Sequence, residues 1–404
     1  MDELARRYIL LCLRLERLAP GFVDSYNGPP ELQEAVEGAA PPLAAELHDE
    51  AVALRSMAAA LLEGDEGARR RGRWMDGQLR SIAAQARRAG GEGIAYVDLL
   101  EQLFGMPIQP MPEAELVKAR DRLAEALPGE GSVADRMRAF REATRVSAGQ
   151  VLPAMVASAE RFRAITARDF PLPNGEGIDW EEAHDQPWGA EARFTGHGRT
   201  RIKVNLDLPL SVPAIAYLAW HEAYPGHHAE HAVKERSLVT GGVGEASMRT
   251  MNTPEAMLAE GQADVAREVV MSNRELAFEY ERIGQATGIQ ADWAHAVEIY
   301  LANFGLNPVA GNAAFLLHRD ARPLDEVRAW AREMGAMDER ELDHLLRVLQ
   351  HPLYRTYPFT YTAGAGLIRE WLQVTGQTSG FWRLLSEQVS PAQLLAELQP
   401  GGLA

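Results

Sequence analysis

The sequence predicts a mainly α fold with a small β-hairpin or sheet beside one histidine-bearing helix. Three observations carry that expectation. Ala, Leu, Glu and Arg recur with helical period over most of the 404 residues. A persuasive period-two alternation occurs in 192–196 and 200–206, with Gly196-His197-Gly198 as the turn between them. Helical period resumes at Pro213, a residue suited to a first helical turn.

The N-terminal part reads as helices over 2–18, 31–62, 65–88, 94–104, 112–126 and 131–166. Pro20-Gly21, Asn27-Gly28-Pro29-Pro30 and Gly90-Gly91-Glu92-Gly93 punctuate it. The character changes near residue 171, where Pro171-Leu172-Pro173-Asn174-Gly175 opens a stretch without helical period. Helices then follow over 213–236, 254–273, 276–303, 309–318, 322–334, 337–350, 362–374 and 379–398. The expected organisation is a helical part, 1–170, and a catalytic part, 171–404, with one continuous fold as the alternative.

Composition narrows the functions. The net charge of −16 argues against nucleic acid and anionic membrane surfaces as partners, since both need basic patches. The single cysteine, Cys12, cannot form an internal disulfide and lies in an apolar run, as a small core residue does. No stretch reaches the roughly 18 apolar residues of a spanning helix, and the N-terminus reads as an amphipathic helix rather than a signal peptide. The expected location is the cytoplasm. Oligomeric state is not encoded in any motif found.

The chemistry concentrates in 221–231, which holds four of the eleven histidines: His221, His227, His228 and His231, with Glu222 and Glu230 among them. Neutral imidazole and carboxylate suit zinc. In the usual HExxH arrangement, histidines four apart share a helix face and the intervening glutamate points at the metal's water. Here His227 is six residues from His221 and His228 seven. On an unbroken helix they would lie about 9 Å and about 10.5 Å up the axis, too far to converge on one ion. Pro225 and Gly226 resolve this, because Pro225 breaks the hydrogen-bond ladder and Gly226 tolerates strained dihedrals. The expectation is a distorted helix in which His227 supplies the second ligand, with His228 as the alternative. Glu260, on an apolar helix whose Gly261 permits close packing, is the leading third ligand. Glu255, Asp264 and Glu268 are alternatives, and Asp264 could instead hold a ligand histidine from behind.

His221-Glu222-Ala223-Tyr224-Pro225-Gly226-His227-His228 resembles the signature HEAxPGHH of the family named domain of unknown function 885. Glu260-Gly261-Gln262-Ala263 resembles its EGWA-like segment, with Gln262 in place of tryptophan. Phe315-Leu316-Leu317-His318, the stretch from Arg355 to Gly364, and Asp24-Ser25-Tyr26-Asn27-Gly28-Pro29-Pro30 also look like this family. The resemblance implies a large, helical, zincin-like fold similar to helical metallopeptidases, with an edge strand beside the metal-site helix.

Together these residues lead to the expectation of a zinc-dependent hydrolase using one zinc ion, a carboxypeptidase-like peptidase acting on a peptide or small amide. Glu222 is the expected general base. Tyr361 and His318 are candidate catalytic donors to an oxyanion. Arg355 is a candidate for a substrate carboxylate, and Asn205 for the substrate backbone. The rivals are a metallohydrolase of non-peptide amides or esters, and a metal-free binding protein on a degenerate zincin fold.

Overall fold

A computed structural model describes residues 1–186 and 188–399. The chain is mainly helical with small sheets, as the sequence predicts. Several long predicted helices are interrupted, each for a local reason. The 31–62 stretch divides into Pro30–Glu37 and Ala44–Ala59, because Pro41 and Pro42 cannot continue a helix. The 131–166 stretch divides into Val133–Ala143 and Ala148–Asp169, where 144–146 bond across to 210–212. The 276–303 stretch divides into Asn273–Thr287 and Trp293–Phe304 at Gly288, whose φ of 76° ends the first helix.

Among the described residues five strands form two sheets. The pair β1 (Val23–Tyr26) and β5 (Met248–Thr250) is antiparallel. The second sheet has β2 (Gly177–Ala183), β3 (Ala190–Gly196) and β4 (Arg199–Asn205) in the order β2-β4-β3. The expected hairpin is β3–β4. β2 lies parallel to β4 from Gly177↔Arg199 to Ala183↔Asn205, and nothing in its mixed polar pattern announces it. β3 is therefore an edge strand, and it runs beside the turn that carries His221 and Glu222.

The apolar side chains gather in three clusters. One joins Met155 and Phe162 to Trp220, Val265 and Trp371. A second joins Leu99 and Phe104 to Met257, Phe315 and Phe359. Both draw on residues before and after 170, so the change of character at 171 is not a packing boundary. The third cluster belongs to the N-terminal helices, where Cys12 is buried, and reaches Met248. Among the described residues no helix is long and apolar enough to cross a membrane.

The contact that matters most for the site is between helices Pro254–Val270 and Pro358–Thr375. They meet glycine to glycine. A Cβ on Gly261 would lie 2.3 Å from the Gly364 carbonyl carbon, and one on Gly364 would lie 2.1 Å from the Met257 oxygen. Only glycine allows this approach, which brings Glu260 and Tyr361 to one place. Gly366, two residues on, has open space around its missing Cβ. Gly261→Ala and Gly364→Ala should each lower the unfolding free energy by about 1–3 kcal/mol through forced separation of the helices. Gly366→Ala should raise it by about 0.5–1 kcal/mol. Chemical denaturation of the three variants checks this, and equal effects at all three positions would refute the close-packing account.

Candidate metal centre

The first histidine stands in a widened turn. Helix Val212–Leu218 runs into a π-type turn, Ala219–Ala223, and the chain then reverses through Tyr224, Pro225 and Gly226 before helix His227–Lys234 begins. Gly226 donates its N–H to the Trp220 carbonyl at 3.0 Å. A Cβ on Gly226 would sit 1.9 Å from the His221 oxygen, so no side chain fits there. The reversal removes the rise that separates residues six apart on a straight helix. The rings of His221 and His227 stand 4.8 Å apart, nearly perpendicular.

Glu260 approaches from helix Pro254–Val270. Its Oε2 lies 3.3 Å from His221 Nε2 and 3.6 Å from His227 Nε2. One ligand atom from each of the three residues lies within 4.8 Å of the others. Tetrahedral zinc ligands at roughly 2.0–2.1 Å from the ion stand roughly 3.3 Å from one another. The two measured separations fit that shell. Glu260 Oε2 is buried and has no hydrogen-bond partner, while its Oε1 accepts from Tyr357 Oη at 2.6 Å. A buried carboxylate oxygen aimed between two imidazoles is the donor a cation would complete.

Support comes from behind. His221 Nδ1 lies 3.2 Å from Asp264 Oδ1, which also accepts from Tyr217 Oη at 2.8 Å. Asp264 is thus placed to orient His221 so that Nε2 faces the site. Burial opposes protonation of His221, but the Asp264 and Glu260 carboxylates outweigh it and raise its pKa well above the ordinary value. Burial likewise opposes protonation of His227, and Glu260 raises it. The Glu260 carboxyl is desolvated, yet His227 and His221 hold it below the carboxylate range.

Glu222 follows His221 and is buried. Burial pushes its pKa up, against the opposing influence of His221 and His227, and the backbone N–H of Ala192 on β3 faces it. Tyr361 stacks toward His221 at 6.1 Å between ring centroids and lies against Tyr357 at 5.4 Å. Burial and the Glu260 charge keep its phenol protonated, as a donor must be.

The structure does not bring every candidate to this place. His228 points the other way. Its Nε2 is 2.7 Å from Glu176 Oε2 and its Nδ1 2.7 Å from Thr200 Oγ1. Burial lowers its pKa. The neutral ring therefore donates from Nε2 and accepts at Nδ1. Glu176 also receives Tyr224 and Arg163. His228 is a buried tie between the histidine helix and β4, which corrects its standing as an alternative ligand. His231 packs against His227 and Phe194, kept neutral by burial. Glu255 lies 3.6 Å from both Lys234 and Arg249, and Glu268 is paired with Arg369, so neither is free to act as third ligand.

Three further expectations are corrected. His318 Nε2 binds the Leu349 carbonyl at 2.8 Å and its ring packs on Tyr96, outside the centre. Arg355 lies with Arg88, Tyr96 and His318, and its Nε is buried without a partner. Burial and Arg355 together push Arg88 down to about 10. Asn205 spends its amide on the Gln186 and Trp188 carbonyls, at 2.8 and 3.0 Å, and accepts from Asp207 N–H. It is committed to holding the loop before β3. The sequence reading missed Tyr217 and Tyr357. Each stands four residues before a named site residue, His221 and Tyr361, and that spacing on a helix face is the signal that could have found them.

No family model matches the chain, and no curated protein matches it. Among solved structures, a protein of Colwellia psychrerythraea assigned as a lipoprotein has a TM-score of 0.55 at 13% identity. The match covers 88% of this chain and 73% of that one. The likeness is one of fold. Another, from Shewanella oneidensis, assigned as a lipoprotein of unknown function, has a TM-score of 0.48 at 12% identity and covers 91% and 75%.

Because Glu176 accepts from His228, Tyr224 and Arg163, its carboxyl is held down at about 2 despite burial. That lies below the roughly 4.3 of an unfolded glutamate. The stabilisation is complete above the unfolded value and is lost as pH falls toward the folded one. Glu176→Gln should therefore flatten the decline of stability between about pH 5 and pH 2, measured by denaturant titration at several pH values. His228→Ala should cost about 2–3 kcal/mol and leave bound metal intact. Loss of metal in His228→Ala would overturn its assignment as a structural tie.

Proposed function

We propose that this chain is a zinc-dependent hydrolase of the peptidase type, with one ion held by His221, His227 and Glu260. The observation that carries the proposal is the buried, unpartnered Glu260 Oε2, facing two imidazole nitrogens at zinc-shell spacing. With two imidazoles and one carboxylate from the protein, a fourth position is left open, as in catalytic rather than structural zinc sites. Membership of the family whose HEAxPGHH signature the chain resembles, and a cytoplasmic location supported by the lone buried Cys12, belong to the same proposal.

Zinc at this place would polarise a scissile carbonyl and bring the pKa of a water toward neutrality. The remaining work falls to the chain. Glu222 takes the proton of the attacking water and delivers it to the leaving amine. Its raised pKa suits both halves of that transfer. Tyr361 donates its phenol proton as a hydrogen bond to the oxyanion. Asp264 and Tyr217 hold His221, and Tyr357 holds Glu260. The edge strand β3 beside Glu222 supports a peptide as the substrate, since an extended chain can add along a strand edge, here up to Phe194, whose carbonyl is taken by Asn27. The carboxypeptidase-like form of the reading depended on Arg355. Because that residue sits with Arg88 and His318, the proposal is made without restriction to carboxypeptidases.

The test is zinc content and peptide hydrolysis of purified variants. His221→Ala, His227→Ala and Glu260→Gln should lose zinc together with activity. Glu222→Gln should keep zinc and lose about 10²–10⁴-fold in kcat. Tyr361→Phe should keep zinc and lose about 10²-fold in kcat with little change in KM. Wild-type protein that takes up no zinc from a zinc-containing buffer would end the proposal.

A further inference from the structure

Asp24 is a carboxylate at this centre that neither the ligand set nor the proton transfers use. It lies in β1, where the pairing with β5 slips. Val23 faces Thr250 and Ser25 faces Arg249, so Asp24 is the extra residue of a β-bulge. A bulge re-aims the side chain of the inserted residue out of the regular alternation. Its neighbour Ser25 is buried, while Asp24 is open to solvent. β1 packs against the edge strand β3, and Asn27 Nδ2 fastens the two by binding the Phe194 carbonyl at 3.0 Å. The charges acting on Asp24 are those of His227, Glu260, Glu191 and Arg193. The residue is thus accessible to solvent yet enclosed by the metal centre on one side and by β3 on the other. A side chain both exposed and so surrounded by charge lines an open recess.

We propose that Asp24 is the specificity-determining residue of the cleft and receives a cationic group of the substrate, a primary ammonium or a guanidinium. The inference rests on the hydrolase reading for its substrate. It depends on where the negative charge remains once the centre is accounted for. Glu222 and Glu260 together would balance a divalent ion, and Asp264 is taken up by His221 and Tyr217. Glu191 and Arg193 are two apart on β3, exposed on the same face, and offset one another. Asp24 is left over. Among the described residues it makes no ion pair or side-chain hydrogen bond, and Arg193 acts on it without forming one. A carboxylate on the open side of the reacting centre, without a charged partner from its own chain, is placed to pair with a cation on the ligand. The chain's net charge of −16 adds a field that draws such ligands in. The shared chemistry has two sources, a free α-amino terminus or a lysine or arginine side chain.

The experiment compares wild type with Asp24→Asn, Asp24→Glu and Asp24→Lys, all loaded with zinc, on a matched peptide set. One arm pairs free with acetylated N-termini. The other pairs lysine with norleucine at each position flanking the cleaved bond. The readout is the ratio of kcat/KM for the cationic over the neutral member. Wild type should favour the cationic member by about 10–100-fold in one arm, which identifies the source. Asp24→Asn should bring that ratio near one, Asp24→Glu should retain most of it, and Asp24→Lys should reverse it. The wild-type preference should shrink with added salt. A ratio unchanged in Asp24→Asn, or near one in both arms for wild type, overturns the inference. Binding of the same peptides to zinc-loaded Glu222→Gln, with and without Asp24→Asn, separates the two proposals. If nothing is cleaved but cationic peptides bind through Asp24, the hydrolase reading alone fails.

Discussion

The backbone of Gly226 lies in contact with the carbonyls of Trp220 and His221, and the convergence of His221, His227 and Glu260 depends on that contact. A helix that continued through Ala223 would carry His227 some 9 Å along its axis from His221. Instead the π-type turn widens the last helical turn, and Gly226 folds back to bond Trp220 at 3.0 Å. His227 then starts a new helix with its ring beside that of His221. Any side chain at 226 would occupy the His221 oxygen. This reversal, rather than an i,i+4 register, makes two histidines converge.

Convergence alone would leave mobile rings, and the surrounding structure removes that freedom in layers. Asp264, itself held by Tyr217, faces the far nitrogen of His221 at 3.2 Å, and Tyr357 fixes the far oxygen of Glu260. Each of these supports comes from a different segment, so their positions relative to one another are set by helix packing. The Gly261–Gly364 contact is the tightest of these, because no side chain separates the two backbones. Behind the other face of the histidine helix, His228 joins Thr200 of β4 to Glu176. Adjacent residues of one motif therefore do different jobs. His227 faces the cation site, and His228 anchors the helix that presents it.

The sequence made the periodic parts of this architecture readable and obscured the parts set by long-range contact. The helices and the β3–β4 hairpin follow from local pattern. Splits at Pro41-Pro42 and Gly288 were also local signals, readable from residue type. β2 was not, because its partner β4 is parallel and its residues are mostly half-exposed. The pair β1–β5 joins residues more than two hundred apart through short strands without an apolar alternation. At the centre, His221, His227, Glu260 and Asp264 were legible from residue type and the Pro-Gly interruption. His318 and Arg355 were drawn in by resemblance, yet they serve a separate cluster with Tyr96 and Arg88. Asn205 was drawn in by its place at a strand end, where its amide in fact closes a loop. Residue type and spacing identify what a side chain can do, but its direction depends on which neighbours reach it first.

Direction is also what weighs the metal-free alternative. An interior that served only as a scaffold would gain by pairing each buried polar atom, since an unpartnered buried group costs about 1–3 kcal/mol and a charged one more. Glu176 and Asn205 do so, with three partners each, whereas Glu230 gives one oxygen to Lys234 and keeps the other bare. Glu260 stands apart by what surrounds its bare oxygen. One oxygen is satisfied by Tyr357, and the other is held bare between two imidazole nitrogens. A cation bound between these three residues would complete the arrangement. Asp24 is a further carboxylate under the influence of these charges, exposed and, among the described residues, without an ion pair. The candidate centre and its rim are thus two places of negative charge, one buried between imidazoles and the other open to solvent.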